Sequence, residues 1–457
     1  MKKRVVVIGA GLCGSVVAAL LRNKFHVTLV EQGKAKRPLF DDITCDQGEV
    51  NTSINRAEGL GGTTNYWHNA LIELDDNDLK KAGIDSKAFA RYYAKAWSFF
   101  MSDADVVECN RLRDSNHATV DGKQCSIAHM VLPQSRANVW QLASEKYPGD
   151  EIQIVYGKAK KIVSGEGAHV VVETDRGDDK IDGDFFIVCA GGLTTPVILA
   201  ESLGRGDGLY AGYHDHPMAY VAKIKLRRDS KIKDISCALM HAAEVRAGFV
   251  YETNGVKTVV YIRPARNLNL RSITGSARYI LSDLRNDPFS PKKIFQLLTN
   301  LDAVREAILF KSQMGFRGDY YSVLLLGEQT PIPTRGLTMQ NGKKPHLNWH
   351  VTDEELGAYH ASFVQFMKDF AADIEDSATI PKEKWEFRTA AHHSGASGQF
   401  LSSKTNGEVG LDFFAVEGLK NAFVCDGSLL RAAGIANSGL TLVGLGHRLA
   451  ELVSASA

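Results

Sequence analysis

The sequence is poor in the features that mark several large protein classes. Its 54 lysines and arginines nearly cancel its 53 aspartates and glutamates, leaving a formal charge of +1. No global field draws such a chain to nucleic acid or to an anionic membrane, so partner choice must come from a pocket. The seven cysteines (Cys13, Cys45, Cys109, Cys125, Cys189, Cys237 and Cys425) are odd in number, widely spread and without a C-x-x-C pair. That argues against a disulfide framework, a zinc ribbon and a thioredoxin-type centre, and it suits a reducing cytoplasm, the expected location. Neither an H-E-x-x-H helix nor a G-x-S-x-G elbow occurs. A zinc peptidase and a serine hydrolase are therefore not expected, Ser394 and Ser397 notwithstanding. The pairs His214/His216 and His346/His350 lack a third clustered ligand, so no metal site is expected. There is no internal repeat and no low-complexity tract.

The N-terminus imitates a signal peptide: Met1-Lys2-Lys3-Arg4 precedes an apolar run from Val5 to Leu21. Gly9, Gly11 and Gly14 interrupt that run, which is also shorter than the ~20 residues a bilayer requires. A membrane partner is not expected. At 457 residues, 44% apolar and 23% charged, the chain has the composition of a globular protein with two sizeable cores.

Residues 4–31 read as strand, glycine turn, helix and strand. Val5 to Ile8 is a continuous β-branched run, as in a strand buried on both faces, and His26 to Val30 is a second. Between them lies Gly9-Ala10-Gly11-Leu12-Cys13-Gly14, a G-x-G-x-x-G at a helix start. Gly9 permits the tight turn, Gly11 lets backbone approach a pyrophosphate, and Gly14 lets helix and strand pack closely. The helix N-terminus offers N–H donors and a positive dipole end to phosphates. Glu31, 17 residues after Gly14, can accept from ribose hydroxyls and would repel a 2′-phosphate. NAD and FAD both fit these residues.

Farther along, residues 75–124 turn from helical to polar, 152–190 read as strands and turns, and 218–283 alternate as β structure. Residues 291–314 are helical with a basic tilt, readable as a lid, a dimer contact, a membrane-surface helix or an ordinary packed helix. Strand pattern returns over 319–350 and at Ala422 to Cys425, and a last helix begins near Leu440. Nucleotide-binding elements thus lie at both ends of the chain.

Four further segments resemble the glucose–methanol–choline oxidoreductase family, in its sugar- and alcohol-acting branch. Gly59-Leu60-Gly61-Gly62-Thr63-Thr64-Asn65-Tyr66-Trp67 is similar to the family's flavin-contacting loop, and Ala190-Gly191-Gly192-Leu193-Thr194-Thr195-Pro196 to its A-G-…-T-P segment. Gly212 to Pro217 resembles its G-x-N-L-x-D-H-P turn, with altered spacing at His214, and reads equally well as a structural turn. The C-terminal block is the most specific. His392-His393-Ser394-Gly395-Ala396 resembles H-x-x-G-T, Asn421 to Ser428 resembles N-L-x-V-x-D-x-S, and Asn437-Ser438-Gly439-Leu440-Thr441 resembles N-P-x-x-T. Ala396, Gly398-Gln399 and Ser438 depart from the family pattern and alter packing more than proton chemistry.

The resemblance implies FAD and an α/β fold. A discontinuous Rossmann-type FAD-binding domain is expected over 1–75, 125–217 and 392–457, with a helical connecting or lid segment at 76–124. An inserted β-rich substrate domain of sheet plus helices is expected over 218–391. Expected cofactor contacts are Gly9, Gly11, Gly14, Glu31, Gly61, Gly62, Thr63, Asn65, Tyr66, Trp67, Ala190, Asp426, Gly427, Ser438 and Thr441, with Asp426 on the ribityl chain. Some members tether flavin through a histidine in the glycine loop; that register position is Tyr66, and His68 is out of register, so non-covalent FAD is expected.

Oxidising a hydroxyl means losing a proton and a carbon-bound hydride. A neutral imidazole suits the proton, and an amide suits the oxygen because it does not titrate. His392 is read as the base and Asn437 as its oxygen-orienting partner, acting on a small alcohol, polyol or sugar with the electron acceptor unidentified. His393 is the rival, and the register from Gly395 favours His392. Open alternatives are a satisfied core pair of histidines, a non-redox lyase with structural flavin, and a flavin-binding protein without turnover.

Overall fold

In the computed structural model of the protein, the structure describes residues 2–39, 42–45, 56–67, 69–115, 119–120, 123–133, 138–233, 237–239, 243–265, 267–270, 289, 291–299, 318–340, 342–402 and 409–456. The apolar N-terminal run forms strand β1 (Arg4–Ile8) and helix α1 (Leu12–Leu21), followed by strand β2 (His26–Glu31). Val5, Val6, Val7, Val16 and Val17 have no exposed surface. A run that imitates a leader is therefore the centre of the core.

β1 and β2 belong to a five-stranded sheet whose order is Ala422–Val424, Phe185–Val188, β1, β2, Gln153–Tyr156. Every neighbour pair in it is parallel. Such a sheet needs crossover connections and cover on both faces, which explains its unbroken apolar strands. Helix α1 packs against the C-terminal helix Gly439–Ala455. The first and last helices of the structure are thus layered together.

The middle of the chain builds a larger, mainly antiparallel sheet from Pro217–Leu226, Cys237–Leu239, Ala243–Thr253, Val256–Pro264, Tyr320–Gly327 and Ile374–Thr379. Ile127–Pro133 joins it by pairing with Ala243–Phe249. Helix Asp353–Asp369 covers this sheet and buries Tyr359, Phe363 and Phe366 against it. A reciprocal capping box between Thr352 and Glu355 starts that helix; the reading of the sequence passed over it. Residues 76–115 form three helices, Asp76–Lys81, Ser86–Phe100 and Asp103–Ser115. Of the basic stretch after 291, Pro291–Thr299 is helical and 300–317 lie outside the described residues. His346 to His350 is not one strand: the strand ends at Asn348, which separates its two histidines.

A Cβ on Gly14 would stand 1.8 Å from the Gly9 carbonyl oxygen, an approach that backbone cannot yield to. Gly14→Ala should therefore destabilise the protein by roughly 1–3 kcal/mol or prevent folding. Urea unfolding measures this, and an unchanged midpoint would refute the close helix–strand packing.

Candidate active site

Three chain segments meet above the parallel sheet. Gly9 turns with φ +96° and donates to the Val30 carbonyl at 2.8 Å. Gly61 donates to the Ala10 carbonyl at 2.8 Å, and a Cβ on Gly62 would come within 2.9 Å of the Gly11 Cα. The loop expected from the resemblance therefore lies directly on the first glycine turn. Trp67 closes the group from the C-terminal side, because a Cβ on Gly439 would stand 2.9 Å from its Cζ3.

Glu31 holds these loops in place. One of its carboxylate oxygens accepts from Ala10 N at 2.9 Å; the other accepts from Gly59 N at 2.8 Å and Gly33 N at 3.1 Å. It is buried. The expected ribose acceptor is therefore also the tie between two glycine loops, which spacing in a sequence cannot reveal.

Helix N-termini at this site lack the side-chain caps that four other helices have. Asp75, Asp85, Asn138 and Thr352 cap their helices with side chains. Gly11, Leu193 and Ser438, which precede α1, Thr194–Ser202 and the C-terminal helix, make no side-chain cap. At α1 and the C-terminal helix the first N–H groups make no hydrogen bond to the described residues and can meet an anion, whereas Thr194 N and Thr195 N both donate to the Gly191 carbonyl. A Cβ on Gly11 or on Gly191 would meet nothing within 4 Å. Bare glycine faces beside uncapped helix ends are the features a dinucleotide cradle requires, so the residues present fit FAD.

Several side chains expected at the cofactor use their polar atoms on the protein itself. Asn65 donates to the Leu60 and Gly62 carbonyls and accepts from Asn138, so it shapes the loop from within. The Tyr66 hydroxyl donates to the Lys36 carbonyl. Thr441 bonds the Tyr93 hydroxyl at 2.9 Å. Both Asp426 oxygens have protein donors: Gly191 N and the Thr195 hydroxyl on one, Ser428 N and its hydroxyl on the other. Asp426 thus joins the Gly191 turn to the Gly427–Ser428 turn. Thr63 is half-buried on the loop, Ala190 N donates to Thr195, and His68 lies outside the described residues.

The His392 segment is brought to the Gly212–Pro217 turn by an antiparallel bridge. His214 and Ser394 exchange backbone hydrogen bonds of 3.0 Å in both directions, and Pro217 pairs with Thr389. Asp215 is completely buried at this crossing. Its Oδ1 accepts from His216 N at 2.6 Å and His392 N at 3.0 Å; its Oδ2 accepts from the Thr389 and Tyr213 hydroxyls. Burial alone would raise this carboxyl, but His393, His392 and the Thr389 hydroxyl hold it below the usual range. Ala391, immediately before His392, has φ +67°, a left-handed conformation that a non-glycine residue adopts at a cost.

His392 is half-buried, and burial holds its pKa below the ordinary value. Its Nδ1 lies 2.7 Å from Nδ1 of His216, whose Nε2 is 2.8 Å from the Gly434 carbonyl. Among the described residues, His392 Nε2 has no hydrogen-bond partner. Asn437 is half-buried three residues beyond Gly434, on the turn that leads into the C-terminal helix. His393 faces elsewhere: its Nδ1 is 2.7 Å from the Tyr213 hydroxyl, and burial pushes its pKa down to about 4. The two histidines therefore diverge, as neighbours on an extended segment do. His216 and Asp215, read from the sequence as part of a turn, are the additional members of the site. Asp215, His216 and His392 keep ligand atoms within 4.8 Å of one another. Their hydrogen bonds to Gly434, Thr389, Tyr213 and backbone N–H groups already occupy most of those atoms.

The whole architecture has a solved counterpart. Pyridoxine 4-oxidase from Mesorbium loti superposes with a TM-score of 0.57, over 98% of this chain and 99% of that one, at 13% sequence identity. The chain shares the fold of that oxidase. No protein-family model matches the sequence, and no curated protein does. At such low identity the likeness carries the fold, and the chemistry must be argued from the residues. Among the described residues no helix is long and apolar enough to cross a membrane.

Two glycine-turn variants separate cradle from scaffold. Gly11→Ala places its methyl in open space and should change the stability of cofactor-free protein by less than about 0.5 kcal/mol, while weakening FAD binding. Glu31→Ala leaves three backbone donors without their acceptor and should cost at least about 2 kcal/mol even without cofactor. Urea titration and fluorescence-monitored FAD titration check both; a Gly11→Ala protein with native FAD affinity would remove the cradle.

Proposed function

We propose that the protein is an FAD-dependent oxidoreductase that oxidises a hydroxyl group of a small alcohol, polyol or sugar, with FAD held non-covalently. The observation that carries this reading is an imidazole, His392, with one nitrogen unpartnered, on a segment that also flanks the bare glycine cradle. The shared fold of an enzyme named pyridoxine 4-oxidase supports it.

FAD, when bound, supplies the acceptor for a hydride. Gly9, Gly11, Gly14, Gly61 and Gly62 would hold it through backbone, with the α1 and C-terminal helix ends facing its charged parts. His392 takes the hydroxyl proton on its free nitrogen. Burial keeps the ring neutral at pH 7, so no proton has to leave before substrate binds. Asn437 orients the substrate oxygen through its amide, and that amide has no hydrogen-bond partner among the described residues. His393 stays with Tyr213 as a packing group. In this reading 1–75, 125–217 and 392–457 hold the cofactor, 76–124 cover it, and 218–391 face the substrate. The sheet pairing of Ile127–Pro133 joins the first and last of these units.

A non-redox lyase on this scaffold would use the same histidine without reducing the flavin. Anaerobic mixing with sugars, polyols and aryl alcohols, pyridoxine among them, decides between the two: bleaching of the flavin supports the proposal, and a yellow protein throughout a broad screen overturns it. His392→Ala should slow anaerobic reduction by roughly 10²–10⁴-fold with FAD still bound, and His393→Ala far less. Reduction by the wild type should rise with pH and then level off, with the midpoint of the limb below the ordinary imidazole value of ~6.5, because burial holds this ring down. Asn437→Ala should lower the plateau without moving the limb. Equal, small effects at both histidines would remove His392 as base.

A further inference from the structure

We infer that His216 is a positioning residue that fixes the tautomer of His392, so that the lone pair of His392 sits on Nε2 and faces the substrate. The inference rests on the proposed role of His392, but its evidence is a hydrogen-bond chain that can be followed proton by proton.

The chain starts at a group that cannot donate. The Gly434 carbonyl lies 2.8 Å from His216 Nε2, so that nitrogen carries a hydrogen. Burial pushes the His216 pKa down to about 4, and the ring is neutral at working pH. Its Nδ1 therefore presents a lone pair. That lone pair lies 2.7 Å from His392 Nδ1, so His392 must be the donor in this contact. A neutral ring with hydrogen on Nδ1 has none on Nε2. The nitrogen without a protein partner is thus the basic one. A donor in place of that carbonyl oxygen would run the chain in reverse and put a hydrogen on His392 Nε2.

Each link is held by packing. Gly434 has φ +52°, and a Cβ there would lie 1.9 Å from Asp78 Oδ2, so the turn bearing the carbonyl is pressed against a buried carboxylate. Asp78 is in turn paired with Lys257 at 2.8 Å. His216 is fully buried, and its backbone N–H is tied to Asp215, which also receives His392 N. The titratable groups facing His392 are Asp215, His216 and His393. An outer partner that orients an imidazole and raises its basicity is a known physical device around metal-bound histidines; here it serves a proton acceptor.

The first test reads the wild-type protein. Nitrogen-15 NMR of histidine-labelled holoenzyme at pH 7.5, with the His392 signals assigned by their loss in His392→Gln, should show a protonated Nδ1 and a lone pair on Nε2. The opposite tautomer overturns the inference. Kinetics supply the second test. His216→Leu removes the acceptor and should slow anaerobic flavin reduction by roughly 10–100-fold, with KM nearly unchanged. Its pH limb should move toward acid, because the His392 cation loses its partner. His216→Asn returns an acceptor at the Nδ1 position and should restore most of the rate and the limb. A leucine variant that keeps the wild-type limb and rate refutes positioning. Stoichiometric binding of zinc alone by the wild type, lost in both variants, would also overturn it by making the pair a metal site. If instead His392→Gln reduces flavin normally, the proposed function loses its base while the NMR result still stands or falls independently.

Discussion

A carboxylate without access to water must be matched by donors or lose its charge, and Asp215 is matched from four directions. Two of those donors are backbone N–H groups of histidines that lie 176 residues apart in sequence. The ion thus does what neither segment can do locally: it brings the Gly212–Pro217 turn and the His392 segment into one register and holds them there. The positive φ of Ala391 is maintained by the same contacts, since its N–H goes to the Thr389 hydroxyl that also serves Asp215. Backbone strain beside the candidate base is therefore offset by the hydrogen bonds that converge on Asp215.

Glu31 plays the corresponding part on the cofactor side. Both acids gather backbone donors from several loops, and both sit at points where an exposed carboxylate would be expected to meet a ligand. Such hubs are strong because charge-assisted hydrogen bonds exceed neutral ones, and brittle because deletion strands every donor at once. A loss of function at either position would therefore report on scaffold as much as on chemistry.

What could be read from the sequence was what local rules govern. The β1–α1–β2 unit follows from β-branched runs, glycine spacing and Glu31, and the structure places each element there. The divergence of His392 from His393 follows from extended backbone. Glu31 as a tie between loops, His216 as the neighbour of His392 and Asp215 as a hub were not legible, because each depends on contacts between distant segments. Asn65, Tyr66 and Asp426 show the converse. Motif position puts them beside a cofactor, and it does not show that their polar side-chain atoms also bond within the protein.

The strand Ala422–Val424 pairs with Phe186–Val188, so one edge of the central sheet is completed by residues made more than two hundred positions later. During synthesis at ~5–20 residues per second, that edge stands open for many seconds. Asp426, Gly427 and the turn carrying Gly434 and Asn437 all arrive after it. Until those residues have been made, neither that sheet edge nor the turn against His216 can be in place. A chain stopped short of residue 422 lacks both the strand that completes the sheet and the carbonyl that fixes His216.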